Sequence, residues 1–179
     1  KDFYTVQIPA QLNFFDGFEG NSSFTLINNK NINFPNKWII GNAVAAAGTQ
    51  SLYISNNGQA FEYTTATSAT VVHAYRDIQI PAGTTTDIAF SYDWRNQGQS
   101  NADYLRVWIV PVAFQPVVGT PITTGGGRIQ LGGNHQLNNT WTNALYIYPG
   151  ATFAGQTIRL VFEWTNNTVT GEQSPAAVD

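Results

Sequence analysis

The chain contains no cysteine and no methionine in 179 residues. Absent cysteine excludes disulfides, thiol catalysis and cysteine metal sites together. Charge is scarce as well: Asp, Glu, Lys and Arg make up 11% of the chain, less than half the usual share, and the net charge is −3. That balance argues against nucleic acid, whose phosphates call for a basic patch. No apolar run is long enough to cross a bilayer as a helix, and no stretch of ordinary helix length carries a 3.6-residue period. The motifs G-x-S-x-G, H-E-x-x-H and the phosphate-binding P-loop are missing. Gly125-Gly126-Gly127 reads as flexible loop, because no helix follows it. What remains is a chain 42% apolar and 13% aromatic, with Asn, Thr, Gln and Ser supplying its polarity. This composition suits an extracellular β-protein that meets polar, uncharged partners such as sugars.

The strongest local pattern lies between Asp87 and Pro111. Phe90, Tyr92 and Trp94 alternate with Ala89, Ser91, Asp93 and Arg95, and Leu105, Val107 and Ile109 alternate with Tyr104, Arg106, Trp108 and Val110. Period-two alternation rich in aromatic and β-branched residues predicts strands. With the polar stretch 96–103 between them they read as a hairpin, one face apolar and the other mixing charge with aromatics. A similar pattern puts Val72, Ala74, Arg76 and Ile78 opposite Val71, His73, Tyr75 and Asp77 in a strand over 68–80. Over 157–164 it puts Ile158, Leu160, Phe162 and Trp164 opposite Arg159, Val161 and Glu163. Shorter strands are expected at 38–40, 50–55 and 140–148, with an extended segment over 1–15. Ala43 to Ala47 lies between Gly41 and Gly48, too short a span to nucleate a helix. Irregularly spaced strands without helices predict one all-β domain over 1–179, a two-sheet antiparallel jelly-roll β-sandwich. Phe90, Tyr92, Trp94, Leu105, Val107, Ile109, Leu160 and Phe162 are its expected core.

Three groups of residues carry candidate chemistry. Asp16, Glu19 and Asn21 lie in a glycine-bounded loop that reads either as a solvated turn or as half of a calcium site, since calcium takes several oxygen ligands. Asp93, Arg95, Arg106, Arg159 and Glu163 lie mid-strand opposite the apolar faces. They read as cross-strand ion pairs, or as a ligand face with Tyr104 and Trp108 as stacking platforms; Trp141 is a further loop candidate. Glu163 and Asp93 are the one pair of carboxylates offered for glycoside hydrolysis, with no spacing that fixes their separation. His73 and His135 are isolated and read as packed or surface histidines. Asn21, Asn138 and Asn166 begin glycosylation sequons.

Several stretches in order, FFDGFEG, GTQSLYISNNG, VVHAYRDIQIPAGT, FSYDWRNQG with ADYLRVWIVP, and AGQTIRLVFEWTNN with SPAAVD, resemble the choice-of-anchor J domains of bacterial surface and secreted proteins. These are related to cleaved-adhesin domains and more distantly to MAM domains. The resemblance covers about Phe14 to Asp179. It implies a jelly-roll module of a larger protein exported by the type IX route, serving adhesion or glycan binding. It also implies a structural calcium at Asp16, Glu19, Gln50 or Ser51, and Asp179. The family continues past the terminal Asp into a last strand.

The sequence therefore predicts a calcium-stabilised, non-catalytic adhesion or structural module, extracellular or at the cell surface. Its expected partners are a glycan, a cell-surface protein or neighbouring domains, without nucleic acid or membrane insertion. The alternative is a carbohydrate-binding module attached to a secreted glycan-active enzyme, with Tyr104, Arg106, Trp108 and Trp141 as ligand-binding residues.

Overall fold

The computed structural model describes residues 8–66, 69–169 and 171–179. Eleven strands run β1 (Ala10–Gln11), β2 (Thr25–Ile27), β3 (Lys37–Gly41), β4 (Ser51–Ser55), β5 (Thr70–Gln79), β6 (Ile88–Asn96), β7 (Tyr104–Pro111), β8 (Ile129–His135), β9 (Asn138–Tyr148), β10 (Thr157–Asn166) and β11 (Ala177–Val178). The helical part of the described residues is one 3-10 turn, Gly150–Thr152. A first sheet has the order β1-β5-β10-β7-β8, with β2 also on β5; a second has the order β3-β4-β11-β6-β9. Pairing is antiparallel except between β1 and β5. The two sheets face each other as a jelly-roll sandwich.

Alternation decides which side chains meet between the sheets. Val72, Ala74, Leu105, Val107, Ile109, Ile158, Phe162 and Trp164 come from the first sheet, and Trp38, Leu52, Ile54, Ile88, Phe90, Tyr92 and Val178 from the second. Trp94 and Leu160, expected in this core, are only half-buried and pack against its margin. Leu160 lines an apolar cavity that opens beside the N-terminal segment, and Trp94 lies where β6 is bulged against β9.

The 87–111 segment is not a hairpin. β6 belongs to the second sheet and β7 to the first, so residues 97–103 carry the chain across the sandwich. Alternation alone cannot distinguish the two arrangements, since an apolar face turned inward looks the same from either sheet. The strand expected over 68–80 runs Thr70–Gln79; Ser68 and residues 1–7 of the first extended segment lie outside the described residues. β2, β8 and β11 carry too little alternation to be read from sequence. β8 holds Gly132 at φ +67°, where a side chain would strike the Tyr146 hydroxyl, so its pattern is interrupted by a residue the packing requires.

The outer face of the first sheet is not open. Residues 112–128 fold across it as a strap, and Trp108, Val110 and Val161 pack with Ile122, Tyr75 and Phe114 in a second apolar cluster beneath it.

Candidate functional site

Ion pairs beneath the strap decide what that face can do. Glu163 is fully buried. It accepts hydrogen bonds from Arg106 Nε at 2.8 Å, from Arg106 Nη2 and from the Ile122 backbone N–H, and it lies 3.2 Å from His73 Nε2. Arg159 donates to both Asp77 oxygens, at 2.7 and 3.0 Å, and to the Phe114 carbonyl at 2.8 Å. The strap is thus tied to β10 at Phe114, near its start, and at Ile122. The expected set of Asp93, Arg106, Arg159 and Glu163 is corrected accordingly. Arg106 pairs with Glu163 and Arg159 with Asp77, while Asp93 lies on the other sheet. Asp93 and Glu163 point outward from opposite sheets, which pack about 10 Å apart. They cannot flank one glycosidic bond, which needs carboxylates within about 9.5 Å.

The same burial removes one of the two expected stacking platforms. Trp108 is 1% exposed. Arg106 sits between the Tyr104 and Trp108 rings, 5.5 and 5.1 Å from their centroids, with its charge spent on Glu163. Tyr104 remains half-exposed at the edge of this cluster.

The fourth expected residue, Trp141, leads to a different surface. On the outer face of the second sheet, register places Ile39, Tyr53, Ala177 and Arg95 in one row. The 56–62 loop folds back onto this row. Asn57 Oδ1 accepts from the N–H groups of Gln59 and Ala60, and the Tyr53 hydroxyl donates to the Gln59 carbonyl at 2.7 Å. This sets Phe61 edge-on against Tyr53, with ring centroids 5.7 Å apart. Arg95 then lies between two half-exposed rings, 5.2 Å from the Phe61 centroid and 6.0 Å from that of Trp141. Its Nε is buried without a hydrogen-bond partner, and desolvation lowers its pKa from the usual arginine value. Beside it, Asp93 Oδ1 and Ser91 Oγ accept from Asn143 Nδ2, at 2.9 and 3.2 Å. Farther along, Leu145 and Ile147 are exposed. No strap crosses this end of the sheet among the described residues.

Sequence reasoning named Trp141 as a loop residue; it lies instead in β9. The same reasoning passed over Phe61, although an aromatic three residues after an Asn-Gly turn is a comparable signal, and read Arg95 either as a partner for ion pairs or as part of a ligand face built on Tyr104 and Trp108.

The expected metal residues are brought partly together. Asp16, Glu19 and Asp179 line one open cavity with Phe15, Gly17, Ala47 and Gly48. Each carboxylate is already engaged. Glu19 accepts from the N–H groups of Thr49 and Gln50 and from the Thr49 hydroxyl, which lower its pKa. Asp179 accepts from the N–H groups of Ala46 and Ala47, and Asp16 from those of Phe18 and the Ser22 hydroxyl. Ser51 donates its hydroxyl to the Val44 carbonyl and is fully buried. Among the described residues no group of three or more His, Cys, Asp or Glu is arranged to hold a metal ion.

Two buried polar pairs complete the inventory. His135 Nε2 meets the Tyr92 hydroxyl at 3.0 Å while Nδ1 lies 3.1 Å from the Gly133 carbonyl, and burial lowers the histidine pKa. The Tyr63 hydroxyl donates to Asp103 at 2.7 Å, and burial raises the pKa of both. Of the sequons, Asn166 is 1% exposed and hydrogen-bonded to Asn36, so it is closed to modification in the folded chain.

No protein-family model and no curated protein matches the chain. Among solved structures, the C-terminal family 22 carbohydrate-binding module of Clostridium thermocellum Xyn10B is similar, with 15% identity and a TM-score of 0.52 over 93% of this chain and 88% of that module. A xylan-binding domain of family 22 gives the same identity and TM-score over 93% and 89%. The enzymatically active domain of tailspike protein 4 of bacteriophage CBA120 matches with 14% identity and a TM-score of 0.53, over 90% of this chain. The chain spans about a fifth of that tailspike structure and nearly all of the two modules. Likeness at these identities establishes the sandwich architecture.

Proposed function

We propose that the chain is a non-catalytic carbohydrate-binding module of a secreted or surface protein, with its ligand on the outer face of the second sheet. One observation carries this reading: an arginine without a carboxylate partner among the described residues lies between the half-exposed rings of Phe61 and Trp141, at the margin of the loop that covers Tyr53. Sugars offer apolar C–H faces with hydroxyls around the rim. A site built from aromatic walls and a few fixed polar groups, here Arg95, Asp93 and Asn143, suits them. The sandwich likeness to two modules named for carbohydrate or xylan binding supports glycan recognition over a purely adhesive or structural role. The test is binding to a panel of soluble xylans, β-glucans and galactans by titration calorimetry. Phe61→Ala and Trp141→Ala should each weaken binding at least about tenfold, roughly 1.4 kcal/mol, and leave the melting temperature nearly unchanged. Failure of the whole panel to bind, or equal binding by both variants, would refute the site.

Calcium at the acidic cavity is a second proposal. Its support is the convergence of three carboxylates in a lining without a basic side chain. It requires Glu19 to exchange amide hydrogen bonds for the ion.

A further inference from the structure

We infer that the ligand of the Arg95 surface is an acidic glycan, one whose sugar carries a carboxylate. The inference rests on the binding reading above and names its substrate class. Two arginines of this fold are matched to carboxylates, Arg106 to Glu163 and Arg159 to Asp77. Arg76, which lies over the Phe14 ring, and Arg95 each have a buried Nε without a hydrogen-bond partner among the described residues, and of these two Arg95 is the one beside half-exposed aromatic rings. A partly desolvated cation with an unmet buried donor favours any ligand that supplies an acceptor, and a charged acceptor makes the stronger, shorter bond. Asp93 shares the strand face and accepts from Asn143, and it forms no ion pair with the guanidinium. The guanidinium carbon lies 5.2 Å from the Phe61 ring centroid and 6.0 Å from that of Trp141. A guanidinium offers paired N–H groups that match the two oxygens of a carboxylate. A uronate ring resting on the half-exposed Phe61 or Trp141 carries its carboxylate at the ring's rim, within reach of that group. Lys37 adds a second cation to the same outer face, three strands away, about 14 Å at ordinary strand spacing. A chain bearing acidic sugars at intervals can meet both.

The test compares a glucuronic-acid-substituted xylan with the same polymer after its carboxyl groups are reduced to alcohols. The acidic form should bind at least about tenfold more tightly at low salt, and the advantage should shrink as salt rises. Arg95→Gln should bring the two forms to equal affinity while the reduced polymer still binds. Arg95→Lys, which keeps the charge without the paired donors, should retain part of the preference. Equal binding of the two polymers by the parent chain would overturn the acidic-glycan inference and leave the binding reading standing. Failure of both to bind would remove both. A variant that loses affinity for both polymers in the same proportion would show Arg95 to be a neutral hydrogen-bonding group, and would also overturn the inference.

Discussion

Glu163→Ala should be among the most destabilising substitutions in the chain, and the structure gives its size. The carboxylate is fully buried and accepts from Arg106 twice and from the Ile122 N–H, with His73 against its second oxygen. Removing it strands a guanidinium whose side chain is 15% exposed, and an amide whose residue is 2% exposed. An unsatisfied buried amide alone costs about 1–3 kcal/mol, and breaking a buried ion pair from one side costs about 3–5 kcal/mol. The partial exposure of Arg106 lets water soften the loss, which places the total near the lower end, about 3–4 kcal/mol. For a chain of this length that lowers the melting temperature by about 6–16 °C. Urea unfolding followed by tryptophan fluorescence measures it directly, since Trp108 lies under the strap that Glu163 secures. In a double-mutant cycle, Arg106→Ala and Glu163→Ala together should cost less than their sum by at least about 1 kcal/mol. Arg106→Ala with Asp93→Ala should be additive within about 0.5 kcal/mol, because these two lie on different sheets. A loss below 1 kcal/mol for Glu163→Ala, or strict additivity with Arg106, would refute this account of the strap.

Acid should weaken the fold through His135. Its folded-state pKa is held below the ordinary value by burial, so neutral and folded go together. Stability is full above the unfolded-state pKa of about 6.5 and falls as pH drops from there toward the folded-state value. Denaturant midpoints measured from pH 8 to pH 5 should decline for the parent chain and flatten for His135→Gln; parallel curves would remove His135 as the cause. The calcium proposal predicts a higher melting temperature in millimolar calcium than in chelator, by mass action on the folded state. Glu19→Gln should abolish that difference. Identical melting in both conditions, together with no metal by elemental analysis, would leave the entry loop held by amide hydrogen bonds alone.

Alternation made the long strands and the side of each that turns inward legible in the sequence. It could not say which strands share a sheet, because that depends on whether a polar stretch such as residues 97–103 turns back or crosses over. For the same reason Arg106 and Asp93 looked like neighbours. The strap was invisible on different grounds. A proline- and glycine-bearing stretch without periodicity reads as loop, and only the apolar side chains of Phe114 and Ile122 hint that it lies against something. Trp141 was legible as a candidate, although it was expected in a loop and lies in β9. Arg95 was legible as a residue and not as a site, since its lack of a partner is a property of tertiary placement.

β11 has a consequence in time. The second sheet consists of two pairs, β3 with β4 and β6 with β9, and the two-residue strand Ala177–Val178 joins them. Asp179 latches the join, exchanging backbone hydrogen bonds with Asp93 and accepting from Ala46 and Ala47. On a ribosome or in an export channel that works from the N-terminus, every other strand of the described sandwich emerges before this one. Until it arrives, the half-built sheet has a seam down its middle with two raw edges facing each other, β4 and β6. The row that carries Tyr53 on one side and Arg95 on the other exists only after the seam closes. The proposed binding face is therefore completed after the rest of the described sandwich, and a nascent chain has the walls of its site before it has the floor that sets them side by side.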